Sequence, residues 1–198
     1  MADTYKTITA PSEAIFKEKM SKFLAFAHPV TTAAEAKAVV AVYQKKYFDA
    51  RHVCWAYMVG ADRTDFLSSD NGEPSGTAGK PILGQINSFG ITDTVIVVVR
   101  YFGGIKLGTS GLIAAYREAA RMALSEATIE ERHVMKTISF SFPYLAMNDV
   151  MKLTKMPGIK IVSQEFDNTC RMSVAIRLDD SDLLIAKLSD IDGVCIID

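Results

Sequence analysis

Thr94-Val95-Ile96-Val97-Val98-Val99-Arg100-Tyr101-Phe102-Gly103-Gly104-Ile105-Lys106-Leu107-Gly108-Thr109-Ser110-Gly111-Leu112 is the stretch that decides the fold of the first half of this chain. Its first six residues are all β-branched and show no polar alternation, so they belong in the centre of a sheet. A glycine-rich loop follows. Beyond it, Leu112, Tyr116, Ala119 and Ala123 recur at helical spacing, which predicts a helix from about Thr109 to Ala127. Strand, glycine loop and helix is a geometry in which backbone amides can approach a phosphate closely. The spacing is neither a Walker motif nor GxGxxG, so no nucleotide fingerprint applies. Arg100, Tyr101, Phe102, Gly103, Gly104, Lys106 and Gly108 are candidate binding residues, because cations beside aromatics suit stacking on unpaired bases. The alternative is that Tyr101 and Phe102 are core and Arg100 is an ion-pair partner.

Working outward, Tyr5 to Thr9 and Phe16 to His28 read as strands, Ala33 to Tyr47 as an amphipathic helix, and His52 to Val59 and Thr64 to Ser68 as strands. A short helix is expected around Ile82 to Phe89. The expected architecture is α+β, with helices packed on one face of a sheet. Between the last strand and the short helix lies a second glycine-rich loop, Asp70-Asn71-Gly72-Glu73-Pro74-Ser75-Gly76-Thr77-Ala78-Gly79-Lys80-Pro81. Asn71-Gly72 supplies a tight turn, and Pro81 is tolerated only in a first helical turn, so that helix begins near Thr77 to Lys80. Free backbone N–H groups there, with Ser75, Gly76, Thr77 and Lys80, make a candidate anion site. The competing reading is a turn that merely caps the helix. Asp70 and Glu73 are turn carboxylates of the kind that satisfy local N–H groups.

Arg51-His52-Val53-Cys54-Trp55-Ala56-Tyr57 invites a metal or Cys–His nucleophile reading. On a strand, His52 and Cys54 share a face but stand about 7 Å apart, too far for the hydrogen bond that activates a thiolate. Two ligands do not make a zinc site. Arg51 remains a candidate for contacting a phosphate, His52 can donate to a phosphate or, as is commoner for a buried histidine, to a turn carbonyl, and Cys54 reads as a small buried hydrophobe. No metal, cofactor or catalytic acid–base pair is implied.

After Thr128 the punctuation changes. The polar run Glu130-Glu131-Arg132-His133 reads as a linker, giving domains at 1–130 and 136–198. The second contains strands at 137–142, 160–166, 170–178 and 193–197, with helices at 145–155 and 180–189. The order βαββαβ is that of a ferredoxin-like domain, a fold that hosts many functions. Ile159, Ile161 and Phe166 look exposed and mark a sheet surface on which a protein partner could dock.

The chain holds 198 residues, with 49% hydrophobic and 23% charged, which excludes disordered and fibrous classes. Its 22 Lys+Arg and 23 Asp+Glu exclude a general polyanion coat, so any nucleic-acid contact must be a local patch. Residues 1–128 carry 14 basic and 12 acidic side chains, and residues 129–198 carry 8 and 11, which places basic surface on the first half. There is no basic and then apolar leader, and no apolar run approaches about 18 residues, so a cytoplasmic protein with no membrane contact is expected. Cys54, Cys170 and Cys195, odd in number and widely spaced, read as free thiols.

Four stretches together resemble the YigZ/IMPACT family over essentially the whole chain: Ser21-Lys22-Phe23, Ala50 to Tyr57, Gly72 to Leu83, and Val98 to Gly108. Asn71 and Ser110 depart from its pattern, standing where aspartate and glycine are usual. The resemblance implies a first domain with a fold similar to domain two of a small-subunit ribosomal protein. It implies a second domain similar to the last domain of the ribosomal translocase. The function implied is translation-linked and nucleic-acid-binding, with no mapped active site. Three readings follow: a noncatalytic RNA- or ribosome-binding protein, an enzyme or sensor for a small phosphorylated ligand at the two glycine loops, and a protein-interaction adaptor using the C-terminal sheet.

Overall fold

In the computed structural model, which describes residues 3–167 and 169–197, Thr94–Tyr101 (β6) is the middle strand of a five-stranded antiparallel sheet. Its neighbours are Ser21–Pro29 (β3) and His52–Val59 (β4). The outer strands are Ser12–Glu18 (β2) and Asp65–Ser69 (β5), giving the order β2-β3-β6-β4-β5. Val95 to Val99 are all fully buried. Ile96 and Val98 face Phe23, Cys54 and Ala56, and this side is covered by Gly79–Ser88 (α2) and Gly108–Ser125 (α3). Val95, Val97 and Val99 face Phe26, Val53 and Tyr57, and that side is covered by Ala33–Lys46 (α1) through Ala36 and Val40. Helices therefore lie on both faces, not one. An unbroken apolar strand has two faces to hide, and one helical layer cannot cover both.

The stretch expected as a single strand from Phe16 is instead a hairpin, β2 and β3, in register Glu18↔Ser21. Its two turn residues, Lys19 and Met20, have φ of 45° and 68°. Consecutive left-handed residues match the twist of a hairpin, but they usually announce themselves as Asn or Gly, and Lys-Met does not. In α3, Ala115, Ala119, Ala120 and Ala123 are buried at helical spacing, which lets the helix lie close on the sheet.

The expected linker is also a strand. Ile129–His133 (β7) pairs with Thr4–Ile8 (β1) in a two-stranded ladder, and Thr9 N–H donates to the Thr128 carbonyl. A largely exposed ribbon can be polar on both sides, so its residues look like a linker in sequence. The chain divides into two compact units, Tyr5–Arg132 and Met1–Thr4 with His133–Asp198.

In the second unit, Met135–Phe142 (β8), Lys160–Glu165 (β9), Cys170–Arg177 (β10) and Cys195–Ile197 (β11) form an antiparallel sheet ordered β11-β8-β10-β9. With Met147–Thr154 (α4) and Ser181–Ser189 (α5), this is the ferredoxin-like βαββαβ domain of an α+β protein. The turn expected at Asp167-Asn168 falls partly outside the described residues, because Asn168 is not described. Phe140, Phe142, Met172 and Val174 pack with Val150, Leu184 and Leu188 on one face. The other face carries Ser139 and Ser173, whose hydroxyls hydrogen bond at 2.8 Å. Ile161 and Phe166 are exposed as expected, whereas Ile159 packs against the core and leaves that patch. All three cysteines are free. Among the described residues no helix is long and apolar enough to cross a membrane.

Candidate functional site

The loop before α2 turns at Asn71 and Gly72, both with positive φ, and so folds back over its own start. This brings the Asp70 carboxylate onto the helix N-terminus. Oδ2 accepts from Gly76 N–H at 2.8 Å, and Oδ1 accepts from Ala78 and Gly79 N–H at 3.0 and 2.8 Å. Burial pushes the Asp70 carboxyl up, but these three donors and Lys80 outweigh it and hold it below the usual carboxylate range. The anion site expected at Ser75, Gly76, Thr77 and Lys80 is thus filled from within. A free helix N-terminus attracts any anion, and a carboxylate tethered a few residues upstream wins over a diffusing one. Thr77 is buried and donates its hydroxyl to the Pro74 carbonyl at 2.6 Å. Gly79 is required because a Cβ there would stand 2.7 Å from the Ser69 nitrogen.

Strand register places Phe23, Arg100 and His52 side by side across β3, β6 and β4. Arg100 is buried and ion-paired, not a free surface cation, although it still lines the cleft described below. Its Nη1 lies 2.6 Å from Glu73 Oε1, and its guanidinium lies 5.6 Å from the ring centres of both Phe23 and Phe102. A cation can be held so far from water only beside a counter-charge, and Glu73 on the neighbouring loop supplies it. Tyr116 of α3 donates to the same Glu73 oxygen at 2.8 Å, and Cys54 Sγ lies 2.9 Å from the Asp70 carbonyl. Burial pushes the Tyr116 hydroxyl up and the Cys54 thiol up to about 12, so Cys54 stays protonated and is no nucleophile.

Tyr101 points to the α1 side of the sheet, packs with that core and donates to Asp49 Oδ1 at 2.9 Å, so it does not join the cluster. The period of two along a strand separates it from both Arg100 and Phe102. Gly103 is structural, because a Cβ there would overlap the Met20 backbone. Gly104 and Gly108, at φ of 90° and 73°, turn the loop into α3.

What remains is a cleft of about 370 Å³ between the Gly72–Pro74 turn, β6 and the start of α3. Arg51, His52, Arg100, Phe102, Lys106 and Gly108 line it together with Glu73 and Pro74. Arg51, Phe102 and Lys106 are exposed. His52 Nδ1 lies 3.0 Å from the Asn71 carbonyl, which can only accept, so Nδ1 carries the proton and Nε2 is the acceptor of the neutral ring. Gly76 and Lys80 line a separate open depression of about 550 Å³ with Gln85 and Arg117. The first glycine loop is therefore divided: Glu73 and Pro74 line the cleft with the second loop, whereas Gly76 and Lys80 face the separate depression. Further along α3, Arg121 is ion-paired with Glu118 at 2.6 Å. Among the described residues no group of three or more His, Cys, Asp or Glu is placed to hold a metal. Sequence reasoning missed Glu73 as the partner of Arg100. No local signal marked it, because Glu73 lies in the loop before α2, 27 residues from Arg100.

The Impact N-terminal domain family matches residues 19–124, a span that contains β3, both glycine loops and almost all of α3. The IMPACT family member YigZ of Escherichia coli (strain K12) is 33% identical over 183 residues, covering 91% of this chain and 90% of its own. The IMPACT family member YvyE of Bacillus subtilis (strain 168) is 36% identical over 144 residues, covering 73% and 66%. A crystal structure described as that of a hypothetical protein superposes over 100% of this chain and 98% of its own, with a TM-score of 0.80 at 30% identity. The matched segments are those that build the cleft and its buried ion pair, and the chain belongs to the IMPACT family.

Proposed function

We propose that this protein is a noncatalytic, translation-associated RNA-binding protein of the cytoplasm that engages RNA through the cleft of its first unit. The observation that carries this reading is the gathering of Arg51, Lys106 and the exposed Phe102 ring at the start of α3. Cations contact phosphates there while the ring offers a stacking face to an unpaired base. Arg51 and Lys106 supply the electrostatic attraction, since Arg100 is neutralised by Glu73. Lys80 and Arg117, on the separate depression, add two further cations to the same unit.

The test is the affinity of the full chain for a single-stranded oligoribonucleotide, measured by fluorescence anisotropy across a salt series. Log affinity falls with log salt at roughly −0.7 per phosphate neutralised. The double variant Arg51→Glu and Lys106→Glu flattens that slope by about two contacts. Affinity indifferent to salt, or to the double reversal, overturns the reading.

A further inference from the structure

The two long helices beside the glycine loops begin differently. The N-terminus of α2 is closed by the Asp70 carboxylate, whereas α3 begins without a side-chain cap at Leu107 and with no acidic residue in its first turn. That end of α3 opens on the cleft through Leu107, Gly108 and Thr109. A second observation points the same way. The Arg100 side chain is only 7% exposed, it lines the cleft, and its Nε is buried with no hydrogen-bond partner among the described residues. Native proteins rarely leave a buried charged donor without an acceptor, and an entering oxyanion supplies one.

We propose that the cleft is a phosphomonoester site, taking the phosphate between the start of α3, Arg100, Arg51 and Lys106, with the organic part of the ester on Phe102 and Pro74. Among the described residues two unpaired cations, Arg51 and Lys106, face it beside the Arg100–Glu73 ion pair, whose carboxylate also accepts from the Tyr116 hydroxyl. The balance suits a group carrying nearly two charges and three free acceptor oxygens more than a diester, which has one charge and two. The volume, about 370 Å³, is that of a small-molecule pocket and holds about one nucleotide, not a run of them. The site deepens the RNA-binding reading and rests on it for one source of the ester, a phosphorylated strand end. The other source is a free nucleotide or sugar phosphate.

The full chain is titrated with one short oligoribonucleotide in three forms, 5′-phosphorylated, 3′-phosphorylated and hydroxyl-ended, and with adenosine monophosphate and inorganic phosphate. A phosphorylated end is expected to bind about tenfold more tightly than the hydroxyl-ended strand. Lys106→Gln and Arg51→Gln, both at exposed positions, should each remove most of that preference without shifting the melting temperature. If the three strands bind alike, the monoester site is wrong and the RNA reading stands. If the monophosphate binds and no strand does, the site stands and the RNA reading falls. A preference that survives both substitutions overturns the placement in this cleft.

Discussion

Replacing Asp70 by asparagine tests the most consequential contact in the first glycine loop. The carboxylate accepts three N–H bonds of 2.8 to 3.0 Å at the start of α2, and Ala78 and Gly79, two of the donors, are buried. Asparagine keeps one oxygen for that pair but turns an NH₂ group toward the Gly76 N–H, so one donor is left facing another. Losing a helix cap costs about 1 kcal/mol and a hydrogen bond to a charged group about 1.5–3 kcal/mol. We expect a net loss of about 2 kcal/mol from the two effects together. For a unit of this length that lowers the melting temperature by about 8 °C at neutral pH. The effect carries a pH signature. Because the folded carboxyl sits below its ordinary value, its stabilisation is complete above the unfolded value of about 3.9 and is lost as pH falls through the folded one. The amide in Asp70→Asn does not titrate, so the gap between wild type and variant, followed by circular dichroism melts, should stay constant down to about pH 4 and narrow progressively below it. Equal melting temperatures at neutral pH, or a gap that does not narrow below about pH 4, would refute this account of the capped helix.

The buried ion pair and the thiols give two further expectations. Glu73→Ala leaves Arg100 charged and unpaired in the core and should cost about 3–5 kcal/mol in chemical denaturation, whereas replacing both partners by methionine should recover much of that loss. A double variant no more stable than the single one would show that the pair does not act as a unit. Under native conditions a thiol reagent should modify Cys195 alone and reach all three cysteines only after unfolding, since Cys54 and Cys170 are buried and the Cys54 thiol is pushed up to about 12. Rapid native modification of a second thiol would contradict the buried network.

Much of this architecture is written locally. The β-branched run at Thr94 to Val99 is enough to place a central strand, and the alanine and leucine spacing after Gly108 is enough to place α3. The βαββαβ order of the second unit follows from periodicity and punctuation alone. The hairpin at Lys19-Met20 was not legible, because the left-handed turn is imposed by pairing of the flanking strands and not by the turn residues themselves. The polar β7 ribbon was not legible either, since without a buried face it leaves no period to read.

Sequence alone determined which segments could carry function: two glycine loops, the strand beginning Arg51-His52, and a first half richer in basic residues than in acidic ones. It could not say which helix start is capped from within the chain. Tertiary structure decided that by delivering the Asp70 carboxylate to α2, while α3 begins with no side-chain cap among the described residues, and by lodging Glu73 against Arg100, 27 residues further along the chain. Helix and strand preferences act within a few residues. Which charge neutralises which donor depends on strand register, and register is set by core packing across the whole sheet.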